Sequence, residues 1–315
     1  MSYTEIGGFF RYPKGTFNIR ELQLTYEGPI KHHLLVFESP LVTPYAENNT
    51  TYFHWYEPVK RSNLALLVIH GWRGSDRSWH ETKIAWHGAK LGFNTVVPCL
   101  PYHGRRTPKD AMPGVYFFGS PDEKRSVDAF RQSIMEFMVI ADWGESMGWR
   151  WGVIGTSLGG ILLNTLMGVD PRYKWGVSIV GGAHIHRIVW EGVLGLAVRY
   201  YLKKRGLTKK DYLYILDDYA KFLDELNRTG RLPQTRWLWY YVDPLTYARY
   251  NSPRKVVLIN GLFDPIIPRR VIKEFSQRAH PSAVIWLPAG HFGVIMFAPI
   301  TIYWMIKFLK YKLTV

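Results

Sequence analysis

Cysteine is almost missing from these 315 residues; with Cys99 alone, no disulfide can form within the chain. Residues 1–15 lack the charged, apolar and small-residue segments of a secretory signal, so the expected location is cytoplasmic. Matches to the glycosylation pattern at Asn48 and Asn227 carry no weight in that setting. Low-complexity tracts and repeats of fixed period are also missing, which argues against a disordered or repeat protein. Acidic residues are scarce, 25 against 40 Lys and Arg, giving a net charge of +15. An excess of that size admits nucleic acid, an anionic membrane surface or acidic substrates as partners. The positive charge is spread out, however. Its densest run, Lys203-Lys204-Arg205 with Lys209 and Lys210, carries no nucleic-acid motif and reads as a solvated helix end, so no nucleic-acid partner is expected. The chain also lacks an unbroken membrane-length apolar run. Residues 292–309 come nearest, but Pro299 interrupts them, and the expectation is a buried or surface-attached helix with peripheral membrane contact left open.

What is present is the composition of a folded protein, with 47% hydrophobic and 21% charged residues, read as one domain over 1–315. Residues 64–69 form an apolar run bounded by charge and glycine, as a parallel strand covered on both faces requires. Similar runs follow at 95–100, 151–154, 176–180, 255–259 and 283–287, most of them separated by helical spacing such as 126–147. Strands alternating with helices predict an α/β fold with a doubly wound, mostly parallel sheet. The segments 20–26, 33–38 and 50–57 alternate instead, and predict antiparallel strands at one sheet edge. More than seventy residues separate the strands near 180 and 255, and a helical lid is placed at 185–250. Its aromatics, Tyr200, Tyr201, Tyr212, Trp237, Trp239, Tyr240 and Tyr241, could line an acyl pocket, although packing the lid on the body is the favoured use for most.

The sequence Gly155-Thr156-Ser157-Leu158-Gly159 lies between a buried strand and an apolar helix starting near Ile161, the context of a nucleophile elbow. A serine hydroxyl is a weak nucleophile and needs a base, itself oriented by a carboxylate. Asp264 follows the strand 255–259 and His291 follows the strand 283–287, so all three side chains are expected at the carboxyl edge of the sheet. The segment His70-Gly71-Trp72 follows the first buried strand, where the Trp72 N–H can serve an oxyanion hole together with that of Leu158. His70 itself reads as a brace for that loop more than as a second base, and is retained as a tentative substrate contact with Tyr102, Arg105 and Arg106. The two arginines suit a bidentate carboxylate or phosphate, or else a structural ion pair.

Together, His70-Gly71, the elbow, Asn260-Gly261-Leu262-Phe263-Asp264-Pro265 and Gly290-His291 resemble the α/β-hydrolase superfamily over roughly residues 55–315. The resemblance implies an oxyanion loop, a nucleophile, an acid loop and a catalytic histidine at those positions. Pro101-Tyr102-His103-Gly104-Arg105-Arg106 departs from the Pro-Gly-His-Gly loop of many relatives. The expected activity is serine esterase chemistry through an acyl-enzyme on a small-molecule ester, with no metal or organic cofactor. A thioesterase, a peptidase, a lipid hydrolase at a membrane surface and a non-catalytic binding module are the alternatives.

Overall fold

The computed structural model describes residues 5–314 apart from 16, 119–121, 194, 205 and 252–254, so Arg205 of the basic run lies outside the described residues. The chain opens with β1 (Arg20–Glu27), β2 (Ile30–Glu38) and β3 (Thr50–Glu57), then β4 (Leu64–Ile69), α1 (Trp79–Lys90), β5 (Asn94–Pro98) and α2 (Glu123–Ser146). It continues through β6 (Arg150–Thr156), α3 (Leu158–Val169) and β7 (Tyr173–Ile179). Four helices follow: α4 (Ile185–Glu191), α5 (Gly195–Lys204), α6 (Lys209–Thr229) and α7 (Pro244–Tyr247). The chain closes with β8 (Lys255–Gly261), α8 (Arg269–Ala279), β9 (Ala283–Leu287) and α9 (His291–Thr314).

The strands form one sheet in the order β1-β2-β3-β5-β4-β6-β7-β8-β9. The antiparallel pairs are those joining β1 to β2, β2 to β3 and β3 to β5; from β5 onward every pair is parallel. This is the expected doubly wound architecture with antiparallel N-terminal strands. Apolar side chains of α2, α3 and α8 belong to the core cluster on one face of the sheet, which those of α6 join from the segment 185–250, and those of α1 and α9 pack the other face. Strand β4 is buried along its whole length, as its uninterrupted apolar run requires. The order reverses at β4, which lies between β5 and β6, and crevices for ligands form at such reversals outside the carboxyl ends of the strands.

Local chemistry sets the element boundaries. Asp122 caps α2 by accepting the Arg125 N–H at 2.9 Å, and Thr208 and Asp211 form a reciprocal capping box at the start of α6. Helix α3 starts at Leu158, three residues before the sequence suggested, because the turn after β6 uses Ser157 alone. Strand β7 stops at Ile179 because Val180, at φ 42°, leaves the extended region. The run 283–287 is a strand but is not covered on both faces: β9 closes the sheet, and Val284 and Ile285 are partly exposed.

Among the aromatics of residues 185–250, Tyr212 stacks on Trp190, Tyr240 stacks on Tyr219, and Trp239 meets Phe118 and Phe130 edge-on. Packing is therefore the use of most of those whose side chains are described; the Tyr201 side chain is outside that set. Buried Asp243 ties the segment down by accepting the N–H groups of His184, Ile185 and Leu245. Burial raises its carboxyl to about 6.

The loop after β5 is locked to α2 by a buried ion pair. Both arms of Arg106 reach Glu136 at 2.7 Å, and the same arms donate to the Cys99 and Asn48 carbonyls. Removing one member would leave the other charge buried without its partner. Glu136→Ala is expected to destabilise the fold by about 3–5 kcal/mol in urea unfolding, and an effect below about 1 kcal/mol would contradict this account.

Candidate active site

Ser157 sits between β6 and α3 with φ 55° and ψ −113°, a conformation an L-residue adopts only under constraint. The constraint comes from glycines on either side. A Cβ on Gly155 would lie 2.2 Å from the Gly159 carbonyl oxygen, and one on Gly159 would lie 2.1 Å from the Ile69 oxygen at the end of β4. The Ser157 N–H is held by the Ile179 carbonyl of β7 at 2.8 Å. The turn is thus wedged between the two neighbouring strands, with the serine at the carboxyl edge of the sheet.

The structure brings Ser157, His291 and Asp264 into one hydrogen-bonded chain. Ser157 Oγ lies 2.9 Å from His291 Nε2, and His291 Nδ1 lies 2.7 Å from Asp264 Oδ2. An ionised carboxylate can only accept, so Nδ1 carries the hydrogen it shares with Asp264 and Nε2 faces the hydroxyl. The carboxylate is itself fixed: its other oxygen, Oδ1, accepts the N–H groups of Ile266 and Ile267 at 2.8 and 3.0 Å. The side chains of His291 and Asp264 are almost wholly buried.

The loop 70–74 lies against the elbow, where a Cβ on Gly71 would stand 3.5 Å from Ser157 Cβ. The Trp72 indole donates to the Gly114 carbonyl at 2.8 Å, which fixes the residue. Leu158 opens α3, and the first N–H groups of a helix have no acceptor within it. Two buried histidines brace this loop. His70 Nδ1–H donates to the Gly71 carbonyl, while its Nε2 accepts the Leu100 N–H at 3.1 Å. His103 Nδ1–H donates to the Pro101 carbonyl, while its Nε2 accepts the Arg73 N–H at 3.1 Å. A ring nitrogen that accepts an amide hydrogen must be unprotonated, so both rings are neutral. Burial agrees, pushing His70 below its ordinary range and His103, which also faces the His70 ring, down to about 3.

The tentative substrate contacts do not gather at Ser157. His70 is the brace just described. Tyr102 is buried at φ 61°, its N–H on Asn48 and its carbonyl accepting from Gly114. Arg105 is exposed, 5.9 Å from the Tyr52 ring, and Arg106 is engaged by Glu136, so the ion-pair alternative describes it. What does surround Ser157 is an apolar cavity of about 50 Å³ walled by Trp72, Phe118, Phe130, Ile161, Ile185 and Ile188. Apart from Trp72, sequence reasoning singled out none of these, nor His103 as a brace. The spacing of Ile185 and Ile188 at i and i+3, with polar residues between them, was the signal available in the sequence.

No family model matches the chain, and no curated protein matches it. Solved structures do. An acetyl xylan esterase from Paenibacillus sp. R4 is similar with a TM-score of 0.68 at 17% identity, covering 93% of this chain and 89% of that one. Acetyl xylan esterase 1 from Thermoanaerobacterium sp. gives 0.58 at 18% identity, over 92% and 88% of the two chains. An esterase from Pyrococcus furiosus gives 0.54 at 16% identity, over 94% and 93%. At such identities the likeness is one of fold.

The neutral bracing histidines generate a pH dependence of stability. Each takes up a proton on unfolding below about pH 6.5 but not in the folded protein. The stability they contribute is therefore complete above that pH and falls as the pH drops, for His103 toward 3. The slope is up to about 1.4 kcal/mol per pH unit for each ring. His103→Gln, whose amide oxygen can still accept the Arg73 N–H, is expected to make urea stability fall less steeply with acid by about one ring's share. Equal slopes in the two proteins would contradict the neutral assignment.

Proposed function

We propose that this chain, whose fold is that of the α/β-hydrolases, cleaves carboxylic esters of short acyl groups through an acyl-enzyme on Ser157. The observation that carries this reading is the chain from Ser157 through His291 to Asp264 at the wall of a small apolar cavity. His291 Nε2 takes the hydroxyl proton as Oγ attacks the ester carbonyl, and Asp264 stabilises the imidazolium that results. The N–H groups of Trp72 and Leu158 receive the oxyanion, helped by the positive end of α3. The alcohol leaves with the proton from His291. Water, deprotonated by the same nitrogen, then releases the acid and regenerates the serine.

The size of the cavity supports a short acyl group. One water needs about 10–15 Å³ of such space, so a cavity of about 50 Å³ suits an acyl group of a few heavy atoms. Two of the similar structures are named acetyl xylan esterases, in keeping with that limit. Helix α4 supplies Ile185 and Ile188, which gives the segment 185–250 the role of a roof over the acyl group. A non-catalytic module would have no need of a serine held in strained geometry within reach of an oriented base.

Ser157→Ala is expected to lower kcat by at least about 10⁴-fold with an unchanged urea midpoint. Across p-nitrophenyl esters, kcat/KM should be highest for acetate to butyrate and drop steeply at octanoate. Ile188→Ala, which widens the roof, should move the optimum to longer chains. Octanoate as the best substrate of the unaltered protein would reject the short-acyl reading, and full activity in Ser157→Ala would reject the mechanism.

A further inference from the structure

Helix α9 begins with His291 and then runs across the sheet, burying Val294, Met305, Ile306, Leu309 and Leu313 beside α1 and the parallel strands. A surface helix ordinarily turns charged and polar residues outward. This one presents Phe292, Met296, Trp304 and Tyr311 instead, and with Phe263 beside Asp264 these side chains are between 61% and 79% exposed. Phe263 and Phe292 stand next to Asp264 and His291 in the chain, and the Phe263 N–H is bonded to the Ala289 carbonyl at 3.1 Å. An exposed apolar face therefore starts at the candidate site with Phe263, Phe292 and Met296, and exposed aromatic side chains stand again at Trp304 and Tyr311 further along the helix.

The formal charge carried by α9 itself has one sign. After Glu274 the sequence contains no acidic residue, while Lys307, Lys310 and Lys312 lie in the last turns of α9. Lys307 Nζ lies 4.5 Å from the Tyr303 ring, and Lys312 Nζ lies 5.2 Å from that of Tyr311. Lysines set among Trp and Tyr suit a boundary where apolar stems and rings enter lipid while ammonium groups meet phosphate. A second copy would bring lysine against lysine, from chains that each carry +15. Among the described residues no helix is long and apolar enough to cross a membrane, and the inner face of α9 is already packed on the protein.

We propose that the outward face of α9, with Phe263, is a docking surface for anionic lipid that lays the candidate site beside the bilayer. A bilayer held there would present esters dissolved in it to Ser157. The docking does not depend on turnover, so it can be tested apart from the proposed reaction.

The experiment is co-sedimentation of the full chain with sucrose-loaded vesicles of phosphatidylcholine, alone or mixed with phosphatidylglycerol. Binding to the mixed vesicles is expected, weakening as salt is raised and much weaker on phosphatidylcholine alone. Met296→Ser with Trp304→Ser should reduce binding about tenfold or more through lost apolar burial. Lys307→Glu with Lys310→Glu should remove the preference for anionic lipid. Both pairs are exposed, so urea stability and hydrolysis of soluble p-nitrophenyl acetate should be unchanged, and Ser157→Ala should pellet like the parent. Absence of binding to the mixed vesicles, or binding unaffected by the apolar pair of changes, overturns the proposal. So does a dimer, seen by sedimentation velocity, that this pair dissociates while vesicles are ignored; the face would then be an interface between copies.

Discussion

The contact between Gly159 and the Ile69 carbonyl ties together the two strands on which the site is built. Because nothing larger than hydrogen fits there, α3 can start directly against the end of β4, and the loop 70–74 is brought beside Ser157. The turn leaves Ser157 in backbone geometry that costs roughly 1–3 kcal/mol. Neighbouring structure offsets that cost: β7 holds the Ser157 N–H, Gly155 lets the turn close on itself, and α3 is buried along most of its length. A strained residue persists only when its surroundings over-determine it, and here they do so from both sides.

The two other members of the chain are positioned by the same economy of strands. Strands β8 and β9 run parallel and in register through Gly261 and Leu287, so the loops that follow them leave the sheet together. One loop turns on Asp264, whose Oδ1 accepts the N–H groups of Ile266 and Ile267 further along the same loop, which leaves Oδ2 for His291. The other passes directly into α9, fixing His291 at the head of a helix packed along the sheet. Across the site, His70 and His103 use burial to stay neutral, and neutrality is what lets each accept an amide hydrogen from the loops it joins.

Much of this was legible because parallel strands write themselves as apolar runs, and the residues that follow each run fall at one edge. Ser157, Asp264 and His291 could be found by that rule, and the glycines at 155 and 159 by the sterics of the turn. The cavity wall obeys no local rule: Phe118, Phe130 and Ile188 come from a loop, α2 and α4, and only folding makes them neighbours. Arg105 and Arg106 are adjacent and chemically alike, yet one faces solvent and the other is buried on Glu136. That difference depends on a partner thirty residues away, which spacing within the loop does not encode.

Helix α9 is where composition misleads in one direction and informs in another. Its apolar length resembles a membrane span because both of its faces are apolar, and a helix of that kind is ordinarily either buried or in lipid. The sheet accounts for one face. On the other, Phe292, Met296, Trp304 and Tyr311 are exposed, α9 itself carries lysines and no carboxylate, and this face begins beside the histidine on which the proposed chemistry turns. Burial on the sheet requires only the inner stripe, and the exposed outer stripe, on a helix whose own charges are all lysines, is the observation on which the proposed docking to anionic lipid rests.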